Sequence, residues 1–150
     1  QGFGVVMLSA DNDKDNHQIN SIGTRVEIID FYQLEDGFLG ITVIGKECFE
    51  LQQVSVDNTG LKRGLVKPLP NWPAKQVNTD SNVLADKLQD VFSQYPQLNQ
   101  LYSHKEFNNL SWLCQRWLEI LPMPVEQKQQ LIAQNSCIKA EQLLNQMIKD

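Results

Sequence analysis

Three groups of residues have types and spacings that could support chemistry. Asp11, Asp13 and Asp15 alternate in the run Asp11-Asn12-Asp13-Lys14-Asp15-Asn16-His17 and imitate the start of a calcium loop. The imitation stops at the sixth position, which is Asn16 where the loop's sharp turn needs Gly, and at the twelfth, which is Ile22 where a bidentate Glu belongs. The run therefore reads as a solvated loop between strands, with His17 exposed in it. Cys114 with His104 is the second group, a Cys/His pair ten residues apart. Cys114 falls on the apolar stripe of an amphipathic helix, whereas a nucleophilic thiol needs an exposed, electropositive setting. Glu35 and Asp36 are adjacent carboxylates, but they sit in a turn where nothing shields them, and a raised carboxylate pKa needs burial. The motifs GxxxxGK[ST], GxSxG and HExxH are absent. The expectation is a protein that is not an enzyme, with no catalytic residue, no metal ligand and no cofactor.

Charge and cysteines narrow the classes further. The net charge is −5. Residues 1–75 carry seven Lys/Arg and ten Asp/Glu, and residues 76–150 carry six and eight, so the acid excess is even. No basic block is present to release counterions from phosphates, which argues against a nucleic-acid partner. Cys48, Cys114 and Cys137 are an odd set without CxxC spacing. They read as buried or half-buried thiols in a reducing, cytoplasmic compartment rather than as a disulfide framework. The apolar runs are too short for a membrane span. At 150 residues the chain can bury about 70% of its unfolded surface without a metal or disulfide.

The elements follow from periodicity. Gly2 to Leu8 (GFGVVML) reads as a short, central strand. Val26 and Ile28 alternate with Arg25 and Glu27, and then Ile29 and Phe31 take the opposite parity. A bulge near Ile28 reconciles the two halves, because one extra residue flips every later side chain. Asp36-Gly37 marks a tight turn. The return strand, Phe38 to Ile44, puts Leu39, Ile41 and Val43 on one face and Phe38, Thr42 and Ile44 on the other. Gly45 is expected to end it, with Cys48 to Val56 as a third strand and Leu61 to Leu69 as a fourth. Aliphatic residues on both faces point to a curled sheet or small barrel. Pro70-Asn71-Trp72-Pro73 is a stiff exit, with Trp72 plugging the junction between sheet and helices, and Ala74 to Thr79 is a linker.

The remainder reads as four helices. The first is capped within Thr79-Asp80-Ser81 and runs to Tyr95, with a stripe of Leu84, Leu88, Val91, Phe92 and Tyr95. The second opens at Asn108 or Asn109 and runs through Leu121, burying Leu110, Leu113, Cys114, Trp117, Leu118 and Leu121. Trp112 and Ile120 lie off that face, so this helix is either covered on two sides or exposes an apolar patch. Pro124 starts the third, with Glu126 near its amino end. Ser136 caps the fourth, with Ile138, Leu143, Leu144, Met147 and Ile148 inward. Helices that follow a sheet rather than alternate with its strands indicate an α+β layout in two parts, 1–73 and 79–150.

Several segments carry a resemblance. Ile22-Gly23-Thr24, Ile28-Ile29-Asp30-Phe31, Leu34-x-Asp36-Gly37 and Gly40-Ile41-x-Val43-x-Gly45 are similar to the amino-terminal, substrate-recognition domain of Lon-type ATP-dependent proteases, and to free-standing bacterial proteins built from that domain. Leu65-Val66 with Pro68-Leu69-Pro70-x-Trp72-Pro73 resembles the segment that closes the family's β-part. Leu118-x-x-Leu121-Pro122-x-Pro124-x-x-x-Lys128-x-x-Leu131 resembles its helical part. The resemblance covers residues 22–150, in order. The family's opening strand and short helix have no counterpart here and Gln1 is no initiator, so the chain is expected to be an excerpt.

The resemblance implies a PUA-like β-pseudo-barrel followed by a small helical bundle. It also implies a non-catalytic module that contacts unfolded or client polypeptides, with a protease or chaperone as possible partner. The Ser-Lys site of the full-length enzymes has no matching motif. Such a role requires accessible apolar side chains, and the candidates are Phe31, Tyr32, Phe38 and Trp72. Replacing Tyr32 and Phe38 with Ser is expected to weaken polypeptide binding. The alternative is a small-molecule or RNA binder on the same barrel, against which the acidic balance counts.

Overall fold

A computed structural model describes residues 3–8 and 19–149, the side chain of Lys149 excepted. The Asp11–His17 run, including the calcium-loop imitation and His17, lies outside the described residues. The chain divides into two compact units, Gln1–Asn71 and Trp72–Asp150. The first is a sheet and the second is helical, which is the α+β layout.

Among the described residues the sheet has four antiparallel strands in the order β1-β2-β3-β4: β1 (Phe3–Leu8), β2 (Ile19–Gln33), β3 (Leu39–Val56) and β4 (Lys62–Pro68). Two expectations change. β1 lies at an edge of this sheet rather than at its centre. β3 is one strand of 18 residues, so Gly45 does not end it. A Cβ at Gly45 would lie 3.2 Å from Thr24 Cγ2, a tight contact on the paired strand. The register shifts at Ile29, at Lys46 and at Gln52. The first is the bulge that the parity change near Ile28 requires.

Strand β3 is the spine of the unit. Its middle pairs with β2, which also pairs with β1 as far as Phe3↔Val26. Its beginning pairs only with the end of β2, and its end pairs only with β4 among the described strands, so two hairpin arms project from opposite ends of β3. The buried apolar residues of the centre are Ile22, Val26 and Phe49. The Phe49 ring lies across Gly4 of β1 and Gly23 of β2; a Cβ would come within 2.9 Å of it at Gly4 and 2.5 Å at Gly23. The glycines thus make room for an aromatic ring to lie flat over neighbouring strands.

The helical unit has five helices: α1 (Asn82–Gln94), α2 (Pro96–Gln100), α3 (Leu110–Ile120), α4 (Val125–Ile132) and α5 (Ile138–Lys149). Pro96 ends α1, since the residue before a proline is pushed out of the helical region, and it opens the short α2. Asn109 caps α3, its side-chain oxygen accepting from Ser111 N at 3.1 Å. The core contains Leu84, Leu88, Phe92, Leu110, Leu113, Cys114, Trp117, Leu118 and Leu144. Tyr95 is exposed rather than part of the α1 stripe.

Helix α3 is covered on its second side. Trp112 packs against Phe92, Tyr102 and Phe107, and the Arg116 guanidinium sits 4.8 Å from the Tyr102 ring centre. In α5 the inward residues are Cys137, just before it, then Ala140, Glu141 and Leu144, at spacings i, i+3, i+4 and i+7. Ile138 and Met147, expected inward, are exposed.

Residues 72–77 are fastened to the helical unit rather than forming a free linker. The Trp72 indole N–H donates to Gln134 O at 2.7 Å, and Ser111 Oγ donates to Pro73 O at 2.7 Å. Leu110 N donates to Lys75 O at 2.6 Å, and Lys75 Nζ lies 2.9 Å from Glu141 Oε2.

Candidate functional site

The arm formed by Glu27–Gln33 of β2 and Leu39–Ile44 of β3 carries three of the four candidate residues. Its turn is closed by Leu34 N donating to Phe38 O at 2.8 Å and Gly37 N donating to Leu34 O at 2.9 Å. Gly37 has φ +87°, a left-handed conformation that a Cβ would strain, which is why Asp-Gly marks this turn. Asp36 Oδ1 accepts from Phe38 N at 3.2 Å.

Cross-strand partners share a face. The register pairs Ile28 with Val43, Phe31 with Ile41 and Gln33 with Leu39. One face of the arm is therefore apolar: Ile28, Phe31, Leu39, Ile41 and Val43, all exposed, with Phe31 at 60% and Leu39 at 69%. The bulge at Ile29 allows Ile28 and Phe31 to share this face. The opposite face carries Glu27, Asp30, Tyr32, Gly40, Thr42 and Ile44. Phe31 and Tyr32 thus point to opposite sides. The Tyr32 ring lies over Gly40, where a Cβ would overlap it. Tyr32 shields backbone, while Phe31 offers a free ring.

Phe38 stands at the turn, 69% exposed. Trp72 belongs to the helical unit. It is 9% exposed in the helical core, with its N–H satisfied by Gln134. Sequence reasoning missed Ile28, Leu39, Ile41 and Val43 as members of the exposed face. Their alternation was visible, but an alternating aliphatic strand ordinarily buries that side.

Charge is unevenly placed on the arm. At its base Arg25 Nε lies 2.6 Å from Glu47, Arg25 Nη1 lies 3.4 Å from Glu27, and Lys46 Nζ lies 3.0 Å from Glu27. Hydrogen bonding to Lys46 in particular holds the Glu27 carboxyl below its usual range. From Ile28 to Gly45 there are three carboxylates, Asp30, Glu35 and Asp36, and no Lys, Arg or His.

The groups that might have carried chemistry are placed otherwise. Cys114 is fully buried, and its thiol is pushed far up, first by burial and then by Cys137, with which it shares a hydrogen bond. A thiol in that setting is a poor nucleophile. Glu35 and Asp36 are exposed in the turn. Among the described residues no three His, Cys, Asp or Glu side chains are grouped to hold a metal ion. An open cleft of about 220 Å³ lined by Gln89, Phe92, Ser93, Asn99, Lys105 and Phe107 is smaller than typical small-molecule sites, about 300–1,000 Å³. Among the described residues no helix is long and apolar enough to cross a membrane.

Solved structures resemble this fold. The crystal structure of a Lon N-terminal domain protein from Xanthomonas campestris superposes with a TM-score of 0.72 at 24% identity, covering 96% of this chain and 75% of that one. The N-terminal domain of Mycobacterium avium complex Lon protease superposes with a TM-score of 0.57 at 13% identity, covering 99% of this chain and 91% of that one. No curated protein sequence matches the chain. The family model of the ATP-dependent protease La (LON) substrate-binding domain matches residues 1–150. The chain therefore belongs to the Lon substrate-binding domain family.

Proposed function

We propose that these residues form a non-catalytic polypeptide-recognition module, and that the β2–β3 arm is the part that touches the client. The observation that carries this reading is the contiguous exposed face of Ile28, Phe31, Leu39, Ile41 and Val43 on a hairpin of a substrate-binding family. Side chains of that kind gain free energy by leaving water, about 25 cal/mol per Å², and an exposed apolar patch of this extent marks an interaction surface. Phe38 extends the patch at the tip. Trp72 supports the helical core instead of the contact. Clients are unfolded or partly unfolded polypeptides, delivered to a protease or held for a chaperone. Three cysteines, an odd set without CxxC spacing, favour work in a reducing, cytoplasmic setting.

The test is fluorescence anisotropy of a labelled, permanently unfolded polypeptide titrated with this protein, beside the same polypeptide in its folded form. Saturable binding to the unfolded form alone is expected. Equal binding to both forms, or to neither by protein shown to be folded, would refute the reading.

A further inference from the structure

The proposed recognition site has a backbone edge as well as an apolar face. Pairing of β3 with β4 begins at Phe49↔Pro68, next to Leu69 N donating to Cys48 O at 2.9 Å. Among the described residues, no strand pairs with the outer side of β3 from Leu39 to Ile44. That stretch is also regular. The β2 edge is interrupted by the bulge at Ile29, whereas β3 has no register shift before Lys46. A bulge blunts an edge against further pairing, and a regular edge invites it.

Charge then selects among the chains that could pair there. Asp30 faces Thr42 on the side opposite Leu39, Ile41 and Val43. Among the described residues its carboxylate accepts from Phe31 N alone, at 2.8 Å, and that of Asp36 from Phe38 N alone. With Glu35 they make a distal arm that is acidic on its polar side and at its tip. Cations are confined to the base, where Arg25 and Lys46 already engage Glu27 and Glu47.

We propose that the outer edge of β3 from Leu39 to Ile44 accepts an extended polypeptide as an added strand, one whose residues alternate between apolar and Lys or Arg. This deepens the polypeptide-recognition reading and rests on it. Strand addition supplies affinity through main-chain hydrogen bonds and specificity through alternate side chains. Apolar residues of the client extend the face of Leu39, Ile41 and Val43. Its basic residues fall on the other face, where their long stems reach across β3 toward Asp30. A client with acidic alternate residues would set like charges against that side and be disfavoured.

The experiment compares three short labelled peptides on the intact chain: an alternating Val/Phe–Lys peptide, the same peptide with Glu for Lys, and the Lys peptide with N-methylated amides. The unfolded polypeptide described above runs beside them. The Lys peptide is expected to bind about tenfold more tightly than the Glu peptide at low salt, with the difference shrinking at high salt as exposed charges are screened. N-methylation should abolish binding. In the triple variant Asp30→Asn, Glu35→Gln, Asp36→Asn, whose changes are all exposed and isosteric, the preference for Lys should vanish while the N-methylated peptide still fails to bind. Equal binding of all three peptides, or none, would overturn strand addition with charge selection. If the unfolded polypeptide still binds in that case, the recognition reading stands without it; if that polypeptide also fails, both fall.

Discussion

The indole N–H of Trp72 donates to the carbonyl of Gln134, 2.7 Å away and 62 positions along the chain. This bond fastens the start of the helical unit to the turn that follows α4. It predicts that Trp72→Phe, which keeps an aromatic ring but loses the donor and the second ring, lowers the stability of the helical unit by about 1–3 kcal/mol, because a part-buried acceptor is left unsatisfied and the site is underfilled. Trp72→Ala should cost about 3–5 kcal/mol by also opening a cavity. Urea denaturation followed by circular dichroism reads both. The Phe variant should bind unfolded polypeptide as the parent does.

On the proposed reading, Phe31 is a contact and Tyr32 a support. Phe31→Ser removes an exposed ring from the apolar face and should weaken polypeptide binding about tenfold, or ~1.4 kcal/mol, with little change in stability. Tyr32→Ser uncovers the Gly40 backbone. It should destabilise the arm by roughly 0.5–1 kcal/mol, the scale of a good cross-strand pair, and leave binding of the folded fraction nearly unchanged. Anisotropy titrations paired with denaturation curves distinguish the two effects.

The turn between β3 and β4 gives a pH dependence. Asp57 Oδ1 accepts from Thr59 Oγ1 at 2.6 Å, Thr59 N at 2.9 Å and Leu61 N at 3.1 Å, and Oδ2 lies 3.3 Å from Arg63 Nε. The Thr59 hydroxyl, followed by these other donors, holds the Asp57 carboxyl below its ordinary value of 3.8. A depressed carboxyl pKa contributes stability that is present above the unfolded value and is lost as pH falls through the lower, folded one. The turn should therefore stay ordered at pH 5 and loosen below pH 3.8. Amide exchange at Thr59 and Leu61, compared at matched intrinsic rates, should show that onset. Asp57→Asn should show faster exchange already at neutral pH.

Cys114 and Cys137 touch inside the helical core, and Cys48 is half-buried in the sheet with a thiol also raised by burial. Burial holds the Cys114 thiol protonated through the whole mildly alkaline range. Folded protein at pH 8 should therefore label slowly with an alkylating reagent at Cys114 and Cys137, and all three cysteines should label quickly in denaturant. Mass spectrometry of the labelled peptides checks each site.

Local chemistry made much of this fold legible. Asp36-Gly37 announced its turn because the left-handed conformation favours glycine there. The parity change between Ile28 and Phe31 announced the bulge because a side-chain period of two tolerates no other reading. Non-local facts were not legible. Whether β1 lies at an edge or in the centre depends on pairing with a distant strand. Gly45 resembled a strand end, yet β3 runs through it because both of its flanks pair with β2. The inward side of α5 was hidden because Cys137, Ala140 and Glu141 carry little apolar weight. Glu141 is accommodated there by Lys75, 66 residues earlier. At the candidate site, Phe31 and Phe38 could be named from their type. The burial of Trp72 in the helical core required the packing of that unit, and the opposite aim of Tyr32 required the register.

The bulge at Lys46 makes the length of β3 as consequential as its composition. Before it, the odd-numbered aliphatic residues Leu39, Ile41 and Val43 lie on one face. Beyond it, the odd-numbered Phe49 and Leu51 lie on the other, and the bulge at Gln52 lets Val54 and Val56 join them. Deleting the single residue Lys46 would send Phe49 away from its bed of Gly4 and Gly23 and would exchange the two sides of the whole second arm. The in-frame loss of one codon, with every remaining side chain intact, would thus act as a substitution at each later position of the sheet. Natural variation in this domain should accordingly tolerate exchanges along β3 far better than insertions or deletions.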